Sequence, residues 1–304
     1  MALFKQTQSM LDLIKELPFK LEKEIQRLFE NNLSMIMGLE MVKSEFSIKN
    51  KRIDTLGFDP QTKSFVIIEY KRERNNSVVD QGFTYLNLML QNKADFILEY
   101  NEGLKKTLKR DDVDWSQTRV AFVSQGFTEN QREATNFKDI AIELWEVKQY
   151  EGGIVSINQI KKSGAAESIK AITDRNTELQ EITKEIKVYT EEDHLSGKPD
   201  ETVELYEKFK SAILDLSPDI EIKPQKWYIA FKKNGTNVSD IEIQKNTIKI
   251  SVNLKVGKLD DPKHLMRDVS ILKGHSLNGD YELRVDSDKD LQYIMSLVKQ
   301  AVII

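Results

Sequence analysis

Cysteine is absent from this 304-residue chain, and histidine occurs only at His194, His264 and His275. Without cysteine there is no disulfide, no thiolate nucleophile and no thiolate metal site. The three histidines are far apart in sequence, which gives little support to a zinc site or a Ser-His-Asp arrangement. Any metal would therefore be held mainly by oxygen atoms, and we expect Mg²⁺ or Mn²⁺.

Long apolar runs and a strong excess of basic charge are also missing. No run approaches the ~18 apolar residues that span a bilayer, and the first ten residues, MALFKQTQSM, lack the pattern of a signal peptide. We therefore expect a cytoplasmic protein with no membrane partner. The net charge of -4 argues against a general polyanion binder. A local groove can still be basic on an acidic protein.

The order of elements predicts an α/β domain with a central mixed sheet over residues 1–162. A short amphipathic helix is expected at 8–16, a second at 19–31, and a strand at 94–99. Residues 163–200 are rich in Glu, Lys, Thr and Ser, which indicates a helical connector and a linker. Residues 201–304 predict a smaller α+β accessory domain.

The helix at 19–31 has a buried stripe that includes Leu21, Ile25 and Leu28, with Glu24 at its edge. A carboxylate at such an edge is paired, solvated or functional. The spacing alone leaves these readings open.

A turn cluster at 59–62 separates two β-prone runs at 52–58 and 65–72. If residues 60–63 form a four-residue loop, Asp54 falls opposite Glu69, with both side chains on one face. Lys71 shares that face because side chains alternate along a strand. Local geometry therefore predicts a cluster of Asp54, Glu69 and Lys71.

Two adjacent carboxylates repel each other unless a cation lies between them. Asp54 and Glu69 would hold hydrated Mg²⁺, with the Tyr70 carbonyl as a further ligand and Glu24 adding a carboxylate from its helix. Such a cluster has the parts needed to hydrolyse a phosphodiester. Lys71 would orient or deprotonate the attacking water, or stabilise negative charge on the phosphate. The simpler alternative is a buried salt bridge between Lys71 and one carboxylate.

These residues resemble the PD-(D/E)xK nuclease superfamily, in which an Asp on one strand precedes Glu-x-Lys on the next. The further matches are Glu24-x-x-x-x-Phe29, Arg52-Ile53-Asp54 and Gln81-x-x-x-Tyr85. Ile53 stands in place of the proline of the motif, which is often missing in the family. The resemblance implies a restriction-endonuclease-like fold and metal-dependent phosphodiester hydrolysis. Its implied site residues are Glu24, Asp54, Glu69, Lys71 and Gln81.

The superfamily also contains proteins that bind without cutting. The alternative function is therefore a non-catalytic nucleic-acid-binding or protein-interaction module that keeps the fold. The expected partner is nucleic acid, and we expect DNA rather than RNA. Whether the protein forms a homodimer is left open by the sequence.

The C-terminal half resembles a small uncharacterised family labelled predicted transport protein, which also occurs in restriction-type proteins. The matching segments are 227–231, 268–270, 274–275 and 279–280. One interpretation is that four side chains form a stacking or recognition surface, namely Lys226, Trp227, Tyr228 and His275. The alternative is that Trp227 and Tyr228 pack in the core or on an edge strand, while His275 orders a glycine-rich turn.

Overall fold

The computed structural model describes residues 2–71, 78–163, 166–168, 182, 185–271 and 278–303. The chain divides into two compact units, Met1–Val188 and Tyr189–Ile304. Much of the connector predicted at 163–200 lies outside the described residues, so the domain boundaries given above stay a prediction. Within the described part of the chain, no helix is both long and apolar enough to cross a membrane.

The first unit alternates strands and helices along the chain. Its elements are β1 (Leu3–Thr7), β2 (Met10–Ile14), β3 (Glu16–Leu17), α1 (Glu22–Met37), β4 (Glu40–Ile48), β5 (Lys51–Asp59), β6 (Ser64–Lys71), α2 (Val78–Gln91), α3 (Lys93–Leu104), β7 (Arg119–Ser124), α4 (Glu129–Ala134), β8 (Ile142–Tyr150) and β9 (Ile154–Gln159). Short 3₁₀ turns lie at Arg110–Asp112, Trp115–Gln117 and Glu151–Gly153.

Seven of these strands form one sheet in the order β3-β8-β7-β6-β5-β4, with β9 also paired to β8. Strand β6 pairs in parallel with β7, and β7 with β8, while the other pairs are antiparallel. The predicted α/β architecture with a central mixed sheet is confirmed.

Strand β6 lies at the centre of the sheet and is covered on both faces. Val66, Ile68 and Tyr70 belong to the core that contains α1. Phe65 and Ile67 belong to the core that contains α2 and α3. Because side chains alternate along a strand, the next odd-numbered positions of β6 point towards α2.

Two secondary-structure predictions are wrong. Residues 8–16 are not helical, because β1 and β2 form a hairpin in which Thr7 pairs with Met10. Residues 94–99 are helical, within α3, rather than extended. A short apolar run fits a strand or a buried helix equally well. Here Phe96 and Tyr100, four positions apart, bury one helical face against the sheet.

A buried ionic network holds the turn end of the β5–β6 hairpin. The Asp59 Oδ1 atom accepts hydrogen bonds from the backbone N–H groups of Gln61 and Thr62 at 3.0 and 3.2 Å. Asp59 Oδ2 accepts one from Arg119 Nη2 at 3.0 Å. Arg119 Nε lies 3.0 Å from Glu143 Oε1. One arginine thus joins β5, β7 and β8.

The second unit is an antiparallel sheet with two long helices packed on it. Its elements are α5 (Glu191–Leu195), α6 (Asp200–Leu214), β10 (Ile220–Pro224), β11 (Ile229–Lys233), β12 (Thr236–Ile243), β13 (Ile248–Val252), β14 (Arg267–Asp268), β15 (Tyr281–Val285) and α7 (Leu291–Val302). The strand order is β10-β11-β12-β13-β15-β14. The core lies between this sheet and helices α6 and α7.

Candidate active site

The β5–β6 hairpin has the register that its turn chemistry predicts. Asp59 pairs with Ser64 and Thr55 pairs with Ile68, so residues 60–63 form the connecting loop. One position further along, Asp54 is level with Glu69. The hairpin therefore brings the two carboxylates together without help from any distant part of the chain.

The two carboxylates are fixed by each other's strand. The Asp54 backbone N–H donates to Glu69 Oε1 at 3.2 Å. The Tyr70 backbone N–H donates to Asp54 Oδ2 at 3.0 Å. The side chain of Tyr70 points the other way, into the core with α1. Asp54 and Glu69 therefore have little freedom to separate.

The second oxygen of Glu69 is shared by two donors. Lys71 Nζ lies 3.4 Å and Gln81 Nε2 lies 3.2 Å from Glu69 Oε2. Gln81 also donates to the Tyr85 hydroxyl at 3.2 Å, and Tyr85 donates to the Arg52 carbonyl at 3.5 Å. Helix α2 thus completes the cluster. The structure brings Asp54, Glu69 and Lys71 together as the strand register predicts, and Gln81 joins them as the resemblance implies.

The electrostatics of the pair favour a cation. Burial, followed by the negative charge of Asp54, raises the pKa of Glu69 to about 7, and Lys71 only partly opposes this. Burial also raises the pKa of Asp54. Two close carboxylates in a poorly solvated place resist being charged together. A divalent cation between them would remove that resistance.

The structure does not place Glu24 in this cluster. Its Oε2 atom accepts the backbone N–H groups of Lys20 and Leu21 at 2.8 and 3.5 Å, so the carboxylate caps the start of α1. The capping-box position explains this choice, because the N3 glutamate reaches back to the unpaired N–H groups before the helix. Its role as a metal ligand stays a prediction.

Helix α1 reaches the site through Gln26 instead. Gln26 Nε2 donates to the Asp54 carbonyl and to Glu30 Oε1, both at 2.9 Å. Glu30 Oε1 in turn accepts from Thr55 Oγ1 at 2.6 Å. Gln26 is buried beside Ile25. In the sequence, the only sign of this role is that Gln26 directly follows Ile25 of the apolar stripe.

Glu45 is a carboxylate beside this cluster, on the neighbouring strand β4. Its neighbours Ser44 and Phe46 pair with Thr55 and Ile53, which places Glu45 level with Asp54 across β4 and β5. Its side chain contacts Lys23 Nζ at 2.5 Å and Arg52 Nε at 2.8 Å. The hydrogen bond from Lys23 lowers the pKa of Glu45.

The donor set fits a hydrated magnesium or manganese ion. Among the described residues, no group of three or more His, Cys, Asp or Glu side chains is arranged to hold a metal. Two carboxylates are enough for Mg²⁺, which keeps several of its waters in most protein sites. The side chains that would hold it are Asp54 and Glu69.

In the second unit, the candidate residues differ in exposure. Tyr228 is buried, and its hydroxyl accepts from Asn278 Nδ2 at 2.8 Å. Asn278 also donates to the buried Asp240 carboxylate at 3.2 Å. Trp227 is 64% exposed, with Lys226 Nζ 5.4 Å from its ring centre. His275 lies outside the described residues.

The first unit is thus a mixed-sheet α/β unit that carries a carboxylate pair, a lysine and a glutamine on neighbouring elements. An uncharacterized protein of Haemophilus influenzae is 57% identical to the chain over 302 residues, which is 99% of each protein. The chain belongs to the family of that protein. Residues 191–302 match the model described as Domain of unknown function (DUF5655).

Three solved structures are similar to part of the chain. A repair endonuclease from Pyrococcus abyssi is 20% identical with a TM-score of 0.22, over 40% of this chain and 44% of that one. EndoMS in apo form is 16% identical with a TM-score of 0.26, over 43% and 58%. An EndoMS–dsDNA2 complex is 21% identical with a TM-score of 0.21, over 38% and 40%. The chain spans less than two thirds of each of these proteins.

Proposed function

We propose that the first unit hydrolyses phosphodiester bonds in nucleic acid, DNA in preference to RNA, with Mg²⁺ or Mn²⁺ as cofactor. One observation carries this proposal: Asp54 and Glu69 are locked level on adjacent strands, while Lys71 and Gln81 converge on the same Glu69 oxygen. The PD-(D/E)xK resemblance of these residues supports it.

Asp54, Glu69 and the Tyr70 carbonyl would hold the metal. The raised pKa of Glu69 supports this assignment, because a carboxylate pair that resists double ionisation gains most from a divalent cation. When bound, the metal supplies Lewis-acid stabilisation of the charge that develops on the phosphate.

Lys71 has the chemistry to act on the reacting groups. Its ammonium lies 3.4 Å from Glu69 Oε2, and the side chain is only 15% exposed. A lysine held there donates to a phosphate oxygen, or orients the attacking water, at the edge of the acidic pair. Gln81 keeps Glu69 in place through the link to Tyr85.

The test is cleavage of a labelled DNA duplex in Mg²⁺, with an RNA of the same sequence in parallel. We expect wild-type cleavage that a chelator abolishes. Glu69→Gln and Lys71→Met should each lower the rate about 10²-fold or more. Calorimetric titration with Mn²⁺ should show one site in the wild type and none in Glu69→Gln.

Glu99→Gln provides the matched control, since Glu99 pairs with Lys43 and has no contact with the cluster. It should cleave and bind Mn²⁺ like the wild type. A folded wild type that neither cleaves nor binds Mn²⁺ would overturn the proposal.

A second candidate is a non-catalytic nucleic-acid-binding module that keeps this fold. The observation that favours it is that hydrogen-bond donors of the protein already bind oxygen atoms of both Asp54 and Glu69. This candidate predicts nucleic-acid binding with no cleavage in Mg²⁺ or Mn²⁺, and binding that survives Glu69→Gln.

A further inference from the structure

Two cations beside the acidic pair are both held by one side chain. Lys23 on α1 and Arg52 on β5 contact the separate oxygens of Glu45, Oε1 at 2.5 Å and Oε2 at 2.8 Å. Glu45 is level with Asp54, so the three charges lie next to the candidate active site. Arg52 also joins that site through its carbonyl, which accepts from Tyr85.

The backbone at Glu45 is unusual for a residue inside a strand. Its φ is 56°, in the left-handed region that costs a residue other than glycine conformational free energy. The pairs on either side, Ser44 with Thr55 and Phe46 with Ile53, keep one register. The strain is therefore local to the residue that bridges the two cations.

A carboxylate whose two oxygens each bind one cation occupies the place that two oxygens of a phosphate would take. Arginine in particular matches the geometry of carboxylate and phosphate equally well. The pair remains open to solvent, with 44% of the Lys23 side chain and 67% of the Arg52 side chain exposed. An incoming anion can therefore reach both cations.

An acidic site must also overcome its repulsion of a polyanion. The chain has a net charge of -4, and Asp54 and Glu69 add negative charge where the scissile phosphate would approach. Nucleic-acid affinity then depends on local Lys and Arg contacts to phosphates. Lys23 and Arg52 lie beside Asp54, where they can contact a phosphate of the nucleic acid.

We propose that Lys23 and Arg52 bind a backbone phosphate of the nucleic acid, and that Glu45 occupies this phosphate site until the substrate displaces it. This inference rests on the proposed function for the nature of the anion. It assigns Glu45 a gating role and adds two substrate-positioning residues. No covalent step is involved.

The experiment measures binding of a short fluorescent DNA duplex to the full chain in a chelator, where no metal-dependent cleavage consumes the probe. Lys23→Ala and Arg52→Ala should each weaken binding about 3- to 10-fold at about 50 mM salt. Each should also reduce the slope of log affinity against log salt by about 1. Glu45→Gln should bind several-fold more tightly than the wild type.

The controls come from a second ion pair on the same strand. Lys43 Nζ contacts Glu99 Oε1 at 2.9 Å, away from this site. Lys43→Ala changes the net charge as Lys23→Ala and Arg52→Ala do, and Glu99→Gln changes it as Glu45→Gln does. They should shift affinity by less than about 2-fold. Melting temperatures close to that of the wild type would show that each variant is folded.

The outcomes separate this inference from the proposed function. If the wild type cleaves DNA in Mg²⁺, but Lys23→Ala, Arg52→Ala and Glu45→Gln all leave the DNA affinity unchanged, this inference is overturned and the proposed function stands. A Glu45→Gln effect no larger than that of Glu99→Gln also overturns this inference. The expected binding pattern without any cleavage supports the phosphate site and favours the non-catalytic candidate.

Discussion

The backbone N–H of Asp54 donates to Glu69 Oε1 at 3.2 Å, so one carboxylate is anchored on the strand that carries the other. This contact holds two like charges together before any cation is present. Ionising both carboxylates therefore lowers the free energy of unfolding. Because a bound cation or a proton relieves the repulsion, the stability of the fold depends on metal and on pH.

Metal binding should stabilise the fold through the carboxylate pair. We expect Mg²⁺ or Mn²⁺ at about 100 times its dissociation constant to add about 2.7 kcal/mol to the free energy of unfolding of the wild type. Asp54→Asn and Glu69→Gln should lose this gain, and a chelator should reverse it. Thermal melting with and without metal measures it, and equal stabilisation of both variants would contradict the assignment.

The metal-free protein should lose stability as the pH rises from about 4.5 to 7. The pKa of Glu69 is raised from 4.5 to about 7 on folding, so the folded state binds the proton more tightly than the unfolded state. The stabilisation is present below the unfolded pKa and is lost as Glu69 ionises. Its size is on the order of 3 kcal/mol.

Glu69→Gln should remove most of this pH dependence. Chemical denaturation of the wild type and the variant in a chelator, between about pH 4.5 and 8, compares the two curves. Parallel curves would show that other groups cause the slope. Saturating Mn²⁺ should flatten the wild-type curve as well, because the ion keeps Glu69 charged.

Arg119 should be essential for stability and not for chemistry. Arg119→Met leaves the buried carboxylate of Asp59 and the partly buried carboxylate of Glu143 without their shared cation, at an expected cost of about 3–5 kcal/mol. Adding Asp59→Asn and Glu143→Gln should recover part of it, because no charge then stays buried alone. Urea denaturation measures both variants, and a loss in the triple variant as large as in the single one would refute this account.

Gly82 sets how closely α2 approaches the sheet. A Cβ atom at this position would lie 2.4 Å from Ile142 Cδ1 and 2.9 Å from Ile142 Cγ1. Overpacking in Gly82→Ala should therefore lower the free energy of unfolding by about 1–3 kcal/mol. The better helix propensity of alanine should offset part of this loss.

The neighbouring Gln81 would move with α2, so activity in the Gly82→Ala variant should fall by more than its stability predicts. Ile142→Val removes the closer atom. The loss in free energy of unfolding should be smaller in the double variant than the sum of the losses in the two single variants. Additive effects would show that α2 does not rest on Ile142.

The features that the sequence predicted well are local. A four-residue loop after Asp59 fixed the hairpin register, and the two-residue period of a strand then placed Glu69 and Lys71 on one side. The prediction at 94–99 was wrong because an apolar run has no local feature that separates a buried strand from a buried helix. Phe96 and Tyr100 are buried by the sheet beneath them, which is a non-local contact.

The residues of the hairpin therefore determine by themselves that Asp54 lies level with Glu69, since only a tight turn and strand alternation are involved. Tertiary structure decided the rest. The packing of α1 against the sheet brought Gln26 to the Asp54 carbonyl, and the packing of α2 brought Gln81 to Glu69. Both contacts depend on how a helix packs on the sheet, which the local pattern of neither segment encodes.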